Sequence, residues 1–210
     1  MNPAHHPDTE RLSDYMLGRL DPSFRVVLEA HLAFCDGCRA RVSKLAECLE
    51  DPLQTIPAQA VPSTLYSSLL ARVRALPAPT APRCGNEILP LPASVWPLLP
   101  DLGSLRWQGA ASPGFRFLRL PSPHSHADLL LLHLRKACRF PRHGHVGTEQ
   151  SMILCGGLQD EYGILETGDY EEATSDKVHR PHALADEDCW LISSVDGGVR
   201  FSGWRRWFQP

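Results

Sequence analysis

Three residues with metal-binding side chains lie close together near the N-terminus, in the pattern His31-x3-Cys35-x2-Cys38. If this segment is helical, His31 and Cys35 lie one turn apart on the same face, and Cys38 can reach them across a turn. Thiolate and imidazole suit zinc better than magnesium or calcium. A closed structural zinc site needs four ligands, and either His5 or His6 can supply the fourth if the first helix folds back.

A simpler interpretation of this cluster is structural. His31 and Cys35 also fit the buried face of an amphipathic helix, because a free cysteine often behaves as a small buried hydrophobe. We favour zinc, since three soft or borderline ligands converge in one short segment. The chain has seven cysteines, an odd number, which also favours metal or redox use over a secreted disulfide framework.

A second group of potential ligands lies in the C-terminal half, where His143, His145 and Glu149 form the pattern H-x-H-x3-E. On a strand the two histidines point to the same side, because side chains alternate between faces. The glutamate and a histidine from a later strand, His179 or else His182, would complete a site that suits Zn, Fe, Mn, Ni or Co. The competing interpretation is a polar, solvated hairpin.

Helices are predicted to hold the first group. Asp21 and Pro22 mark the start of a helix whose apolar residues recur at three- and four-residue steps. Shorter amphipathic helices are predicted on either side, giving a three-helix unit. A fourth helix is predicted after Ser63, and its apolar stripe is free to dock on another surface. That stripe consists of Leu65, Leu69, Val73 and Leu76.

Short strands are predicted to hold the second group. Prolines crowd the segment from Leu76 to Pro100, which prevents regular helix and favours extended chain. Beyond it, short apolar runs alternate with Gly, Pro and Asp turns, as in an all-β sandwich or barrel. The sequence therefore predicts an α+β chain with two domains.

The N-terminal motif is similar to that of a known family. His6 together with residues 31–38 (HLAFCDGC) and the helix that follows resembles the zinc-binding anti-sigma factors, above all the ChrR-type members. The resemblance implies that His6, His31, Cys35 and Cys38 bind a structural zinc. It also implies that the helical domain holds an extracytoplasmic-function sigma factor away from RNA polymerase.

The C-terminal motif is similar to the cupin motifs. Residues 141–149 (PRHGHVGTE), followed by Gly156, match the first motif, and the second runs from Gly168 to His179, although residues 171–177 (EEATSDK) replace its usual small residues. The resemblance implies that His143, His145, Glu149 and His179 bind a second divalent metal, for which we favour zinc. A ChrR-type chain has the same order of domains.

The domains predicted from these motifs are a helical zinc-binding anti-sigma domain at residues 1–78, a proline-rich linker at 79–94 and a cupin-like barrel at 95–210. A net charge of -3 offers no basic field for direct binding to nucleic acid. No apolar run approaches the roughly 20 residues of a membrane span, and the N-terminus lacks a secretory signal pattern. We therefore expect a cytoplasmic protein.

The predicted function is that of a regulator and not of an enzyme. The zinc domain would sequester the sigma factor, and the metal-binding barrel would sense an oxidative or singlet-oxygen-type signal that releases it. The alternative is a metal-dependent cupin enzyme, an oxygenase or isomerase, with a helical zinc-binding appendage. The sequence leaves open the inducing signal and a redox role for Cys189.

Overall fold

A computed structural model of the chain describes residues 3–54, 57, 60–109 and 113–201, with residues 49–54 as backbone only. Within these residues the helices come first, and they are α1 (Thr9–Met16), α2 (Pro22–Leu32), α3 (Asp36–Gln54) and α4 (Leu65–Arg74). A 3₁₀ helix spans Ala93–Leu98. The predicted fold class, a helical N-terminal region followed by a β-rich domain, is confirmed.

The strands of the described residues are short, and most belong to the second domain. They are β1 (Arg83–Cys84), β2 (Glu87–Ile88), β3 (Gln108–Gly109), β4 (Phe115–Leu120), β5 (Asp128–Leu134), β6 (His143–His145), β7 (Glu149–Cys155), β8 (Gly157–Asp160), β9 (Gly163–Glu166), β10 (Tyr170–Ala173), β11 (Val178–His179), β12 (His182–Ala183), β13 (Cys189–Val195) and β14 (Val199–Phe201).

The first helices are fixed by their caps and by a small core. The Asp8 side chain accepts a hydrogen bond from the Arg11 backbone N–H, at 2.8 Å, and so caps α1. Asp21 caps α2 in the same way, with Pro22 in the first turn. The core between α1, α2 and α3 is small, and its buried members are Leu12, Leu28, Leu32, Cys35 and Cys38.

A six-stranded antiparallel sheet, in the order β10-β7-β13-β5-β4-β3, forms the main wall of the barrel. Two three-stranded sheets, β11-β6-β14 and β12-β8-β9, lie across from it. The main sheet is apolar on both faces. Leu129 and Leu131 of β5 face outward into a core that includes Val27 and Ala30 of α2, whereas Leu132 packs on the inward-facing cluster. The helical domain therefore rests directly on the barrel.

The segment predicted as a linker, residues 79–94, is largely exposed but packs onto the barrel at three positions. It contains the β1-β2 hairpin, and Cys84, Leu89 and Leu91 are buried in the outer core. Prolines keep this chain extended, but its leucines still supply apolar surface that packs against the barrel. The boundaries 1–78, 79–94 and 95–210 stay a prediction, and residues 202–210 lie outside the described part of the chain.

The length and polarity of the helices show whether any of them could span a membrane. None of the helices in the described residues is both long enough and apolar enough to cross a bilayer.

Candidate metal centres

The structure brings together the four residues predicted to bind zinc. One ligand atom from each of His6, His31, Cys35 and Cys38 lies within 4.8 Å of the others. The His6 Nδ1 atom lies 3.5 Å from Cys35 Sγ and 3.6 Å from Cys38 Sγ. His6, and not His5, is the N-terminal histidine of this group. Two thiols and two imidazoles are a donor set that suits a tetrahedral zinc site.

The chain holds these ligands at the junction of α2 and α3. His31 lies in the last turn of α2, and its carbonyl accepts a hydrogen bond from the Cys35 backbone N–H, at 3.0 Å. His31 and Cys35 are therefore one helical turn apart, although Cys35 lies beyond the end of α2. The Cys38 backbone N–H in turn donates to Cys35 Sγ, at 3.3 Å. A local backbone turn therefore places three of the four ligands.

The state of His31 fits a metal ligand. Its Nδ1 atom lies 2.8 Å from the Gly168 carbonyl oxygen, whereas its Nε2 atom is buried without a hydrogen-bond partner in the described residues. An imidazole that donates from Nδ1 presents the Nε2 lone pair to a metal. Burial lowers the pKa of His31, which keeps the ring neutral as ligation requires.

Zinc would change the ionisation of the thiols. Burial, and then the neighbouring Cys35, raises the pKa of Cys38 to about 11. Two adjacent buried thiolates repel each other, and a bound zinc ion would reverse this effect because it deprotonates its cysteine ligands. The donor chemistry and the unpartnered nitrogen of His31 both fit zinc.

Three histidines form the second centre inside the barrel. The His179 Nε2 atom lies 3.2 Å from His143 Nε2 and 3.3 Å from His145 Nε2. His143 and His145 share one side of β6, and the pairing of β11 with β6 sets His179 opposite His143. The solvated-hairpin interpretation is wrong, because the three residues are only 4%, 1% and 6% exposed. The alternative ligand His182 pairs with Gln159 and lies outside this group.

The other ring nitrogens of the three histidines all face oxygen atoms. His143 Nδ1 lies 2.9 Å from the Pro141 carbonyl oxygen, and His179 Nδ1 lies 2.8 Å from the Asp160 carboxylate. His145 Nδ1 lies 3.1 Å from Glu149 Oε2 but without the alignment of a hydrogen bond. An oxygen atom beside each Nδ1 favours a proton on that nitrogen, which leaves the three Nε2 lone pairs to converge, as in histidine metal sites. Burial lowers the pKa of His143 to about 4, so that ring is neutral at pH 7.

Glu149, the predicted fourth ligand, lies beside the histidines but not among their Nε2 atoms. Its carboxylate is next to His145 Nδ1 and accepts a hydrogen bond from the Ser151 hydroxyl, at 3.0 Å. Burial alone would raise the pKa of Glu149, but the surrounding histidines outweigh it and lower the pKa to about 2. Glu149 is therefore an anion beside the cluster, and its coordination of a metal stays a prediction.

Sequence reasoning missed Asp160, Glu171 and Lys177. The Asp160 carboxylate accepts from His179 and lies 3.7 Å from the Lys177 ammonium, which also pairs with Glu171. Asp160 ends β8, nineteen residues before His179, and only the fold brings the two together. No local spacing in the sequence signals this contact.

Cys189, for which a redox role was left open, is completely buried. Burial raises the pKa of its thiol well above the ordinary value. The reactive form of cysteine is the thiolate, so this environment disfavours direct oxidation of Cys189.

Comparison with known proteins follows the same two-part division. Residues 98–196 match the family described as ChrR cupin-like domain, and residues 9–39 match a family described as a putative zinc-finger. The anti-sigma-E factor ChrR of Cereibacter sphaeroides is 29% identical over 203 residues, which cover 96% of this chain and 94% of that protein. In the crystal structure of Rhodobacter sphaeroides SigE in complex with the anti-sigma ChrR, a chain 29% identical aligns with a TM-score of 0.68, over 91% of this chain and 98% of its own length.

The family matches and the two ligand clusters agree on the class of protein. A helical module of the zinc-finger type precedes a cupin-like barrel, and each module carries a cluster of potential metal ligands. The chain has the domain composition and domain order of the ChrR-type proteins, and the resemblance predicted from its motifs is confirmed.

Proposed function

We propose that this chain is an anti-sigma factor that sequesters an extracytoplasmic-function sigma factor in the cytoplasm. The observation that carries the proposal is the similarity, over nearly the whole chain, to ChrR, which has been crystallised in complex with SigE. Both relatives are described as anti-sigma factors, and neither as an enzyme, which agrees with the predicted regulatory role.

The exposed apolar surface of α4 supports the proposal that a protein partner binds this chain. Its apolar residues are largely exposed, and none of its residues is buried. Leu69 is 46% exposed and Val73 is 62% exposed. A contiguous apolar patch on a folded chain commonly marks an interaction site, and an amphipathic helix docks through residues spaced three and four apart. We infer that the sigma factor covers the face formed by Leu65, Tyr66, Leu69, Val73 and Leu76.

Charges placed on this face test the proposal. We expect Leu69→Asp plus Val73→Asp to weaken binding of an extracytoplasmic-function sigma factor from the same genome by at least about 100-fold, because two apolar contacts are lost and two charges are desolvated. Co-purification, titration calorimetry and inhibition of transcription in vitro would measure the effect. Ser67→Asp plus Ala71→Asp adds the same charge on the opposite face of α4 and should bind like wild type.

The outcome of the wild-type experiment decides the proposal as a whole. If the wild-type chain neither co-purifies with any such sigma factor nor inhibits its transcription, the anti-sigma function is wrong. Turnover of a small substrate by the same preparation would then favour the cupin-enzyme alternative.

We also propose that each of the two ligand clusters binds a metal ion. His6, His31, Cys35 and Cys38 would bind a structural zinc ion, which the donor set and the unpartnered His31 nitrogen support. His143, His145 and His179, with Glu149 beside them, would bind a second divalent ion. We favour zinc there too, although three imidazoles and a carboxylate also suit Fe, Mn, Ni and Co.

The loop before β10 provides a connection between the two proposed metal sites. The buried Asp169 carboxylate accepts hydrogen bonds from the backbone N–H groups of Ala4, at 2.6 Å, and His5, at 3.0 Å. The Tyr170 backbone N–H donates to the His5 carbonyl, at 3.1 Å. The segment that carries the first zinc ligand is therefore fastened to the barrel.

The same loop approaches the zinc cluster at Gly168. This glycine has a φ of 97°, and a Cβ atom there would lie only 2.9 Å from Pro3 Cγ. A side chain would therefore be strained and would push against the N-terminal segment. Since the Gly168 carbonyl also accepts from His31, the barrel loop supports two of the four zinc ligands.

Strand β10 has one side toward the barrel cavity. Glu171 and Ala173 contribute to the cavity wall. Ala173 also pairs with Glu149 on β7, so the end of β10 lies against the strand that carries the predicted fourth ligand. A ligand in the cavity would therefore lie next to β10.

The other side of β10 contacts the helical domain. Glu172 forms two hydrogen bonds with the Arg11 guanidinium, both at 2.8 Å. The ring of Tyr170 lies edge-on to His31, with centroids 5.9 Å apart. We infer that β10 transmits a change in the barrel to the sigma-binding domain, since it contacts both. That the signal is oxidative stays a prediction.

A pair of aspartate variants tests this connection. The Asp169 Oδ1 atom accepts from Ala4 and His5, whereas Oδ2 accepts from the Glu166 backbone N–H, at 2.9 Å. We expect Asp169→Asn to weaken zinc binding at the N-terminal cluster about tenfold or more, because an amide has a single acceptor oxygen and its NH2 group cannot accept from the remaining backbone N–H. Asp160→Asn should weaken only the barrel metal, because Asp160 supports His179. Cobalt titration separates the two sites, since only the cluster with cysteines gives thiolate charge-transfer bands. Equal cobalt affinity of Asp169→Asn and wild type would rule out support of the cluster by the barrel.

A further inference from the structure

The barrel contains a cavity of about 870 Å³, open to solvent on one side, that is larger than a metal site requires. Its wall is mostly apolar and includes Phe117, Leu132 and Leu165, while His143 and His179 form part of the same wall. Cavities of about 300–1,000 Å³ are the usual size for small-molecule sites. The cavity is therefore large enough for an organic ligand in contact with the histidine cluster.

Two inward-facing leucines of β5 show that side chains fill only part of the barrel interior. Leu129 and Leu131 of β5 face the helical domain and are 3% and 0% exposed. Leu130 and Leu132 alternate with them, face the cavity and are only half-buried. Side chains usually fill the interior of a small barrel unless it holds a ligand. Apolar surface left open in this way favours an apolar occupant.

The charges around the histidines select against an anion. Three carboxylates lie there, from Glu149, Asp160 and Glu171, and Lys177 pairs with two of them. A divalent ion on the histidines together with the lysine would balance these carboxylates. An anionic ligand would add an unbalanced negative charge in a poorly solvated site, whereas an uncharged oxygen group would not.

The arginines of the cavity wall do not change the charge balance around the histidines. Arg119 and Arg200 are both exposed, and Arg119 already pairs with Asp128. Exposed cations at a wall that solvent reaches contribute little to selecting the charge of a ligand inside.

We propose that the barrel binds an uncharged, mainly apolar molecule that bears one oxygen function, such as a long-chain alcohol, ketone or hydroperoxide. Its apolar part would lie against Phe117, Leu130 and Leu132, and its oxygen would face the histidines. At about 30 Å³ per group of the size of water, a cavity of about 870 Å³ holds up to roughly 30 non-hydrogen atoms. A role for this ligand as the releasing signal rests on the anti-sigma function proposed above.

Binding is tested on the full-length, metal-replete chain without a sigma factor. The probes are decanol and decanoate, which share a chain and differ in charge, measured by displacement of the neutral apolar dye Nile red. We expect decanol to bind at least about tenfold more tightly than decanoate. Decanoate binding as tightly as decanol would overturn the assignment of an uncharged ligand.

Variants of the wall locate the site. Leu132→Trp fills the cavity and should lower decanol affinity at least about tenfold, whereas Phe117→Ala widens it and should shift the preferred alkanol to a longer chain. Ile88→Trp is the matched control, because Ile88 is 57% exposed on β2, away from the cavity wall. Unchanged alkanol affinity and chain-length preference in both wall variants would place binding elsewhere and overturn the proposal. These results do not depend on sigma-factor binding, so they separate this proposal from the anti-sigma function.

Discussion

Cys35→Ser plus Cys38→Ser is expected to remove about one equivalent of zinc and to unfold α1 and α3. Two of the four ligands are lost, and hydroxyl groups do not replace thiolates on zinc. The helical core is small, with three buried leucines besides these cysteines, and a core of this size does not hold helices together unaided. Structural zinc sites contribute about 10–16 kcal/mol of apparent binding free energy at pH 7.

The effect should differ between helices. α2 also packs on the barrel through Val27 and Ala30, so it should persist when α1 and α3 are lost. Elemental analysis measures the zinc, and hydrogen exchange resolves the helices. Cys48→Ser is the matched control, because Cys48 is exposed, its thiol donates to the Lys44 carbonyl, and it lies outside the cluster of potential zinc ligands. Zinc content equal to wild type in the double variant would refute the assignment of these thiols.

His143→Ala plus Glu149→Ala is expected to empty the barrel site while the N-terminal zinc is retained. The variant removes one of the three converging imidazoles and the carboxylate beside His145. A divalent ion held by two histidines alone binds weakly, because open positions are filled by water. Metal content should fall by about one equivalent, and thiolate-to-cobalt bands from the other cluster should be unchanged.

Two single variants sharpen this second experiment. His182→Ala is the matched control, because His182 lies on β12 outside the cluster. This variant should retain the barrel metal. Glu149→Gln keeps the size of the side chain and distinguishes its roles. A decrease in affinity of about 10–100-fold is expected if Glu149 only orients His145, and a loss comparable with the double variant is expected if it coordinates the ion. Metal content of the double variant equal to wild type would rule out the barrel site.

Local patterns in the sequence predicted the ligands that share one element. His31, Cys35 and Cys38 follow the helical turn, and His143 and His145 follow strand alternation. In each case the backbone geometry of a few residues decides which side chains meet. Local signals also predicted the start of α2 at Asp21 and Pro22 and the change from helices to strands.

Which of two nearby histidines joins each cluster depends on contacts between residues far apart in the chain. His6 rather than His5 joins the cysteines, because Asp169 and Tyr170 hold the backbone of the N-terminal segment. His179 rather than His182 joins the barrel histidines, because β11 pairs with β6 in a register that sets it opposite His143. Register between distant strands leaves no periodic signal in either strand.

The sequence by itself therefore predicted the two groups of potential metal ligands and the order of the two modules, because both follow from residue type and short-range spacing. Only the tertiary structure decided that residues 83–91 pack onto the barrel, that Asp160 supports His179, and that the main sheet is apolar on both faces. It also decided that one strand, β10, touches both the cavity and the zinc-binding domain. These features come from contacts between residues far apart in the chain, and only the packed core determines which of them form.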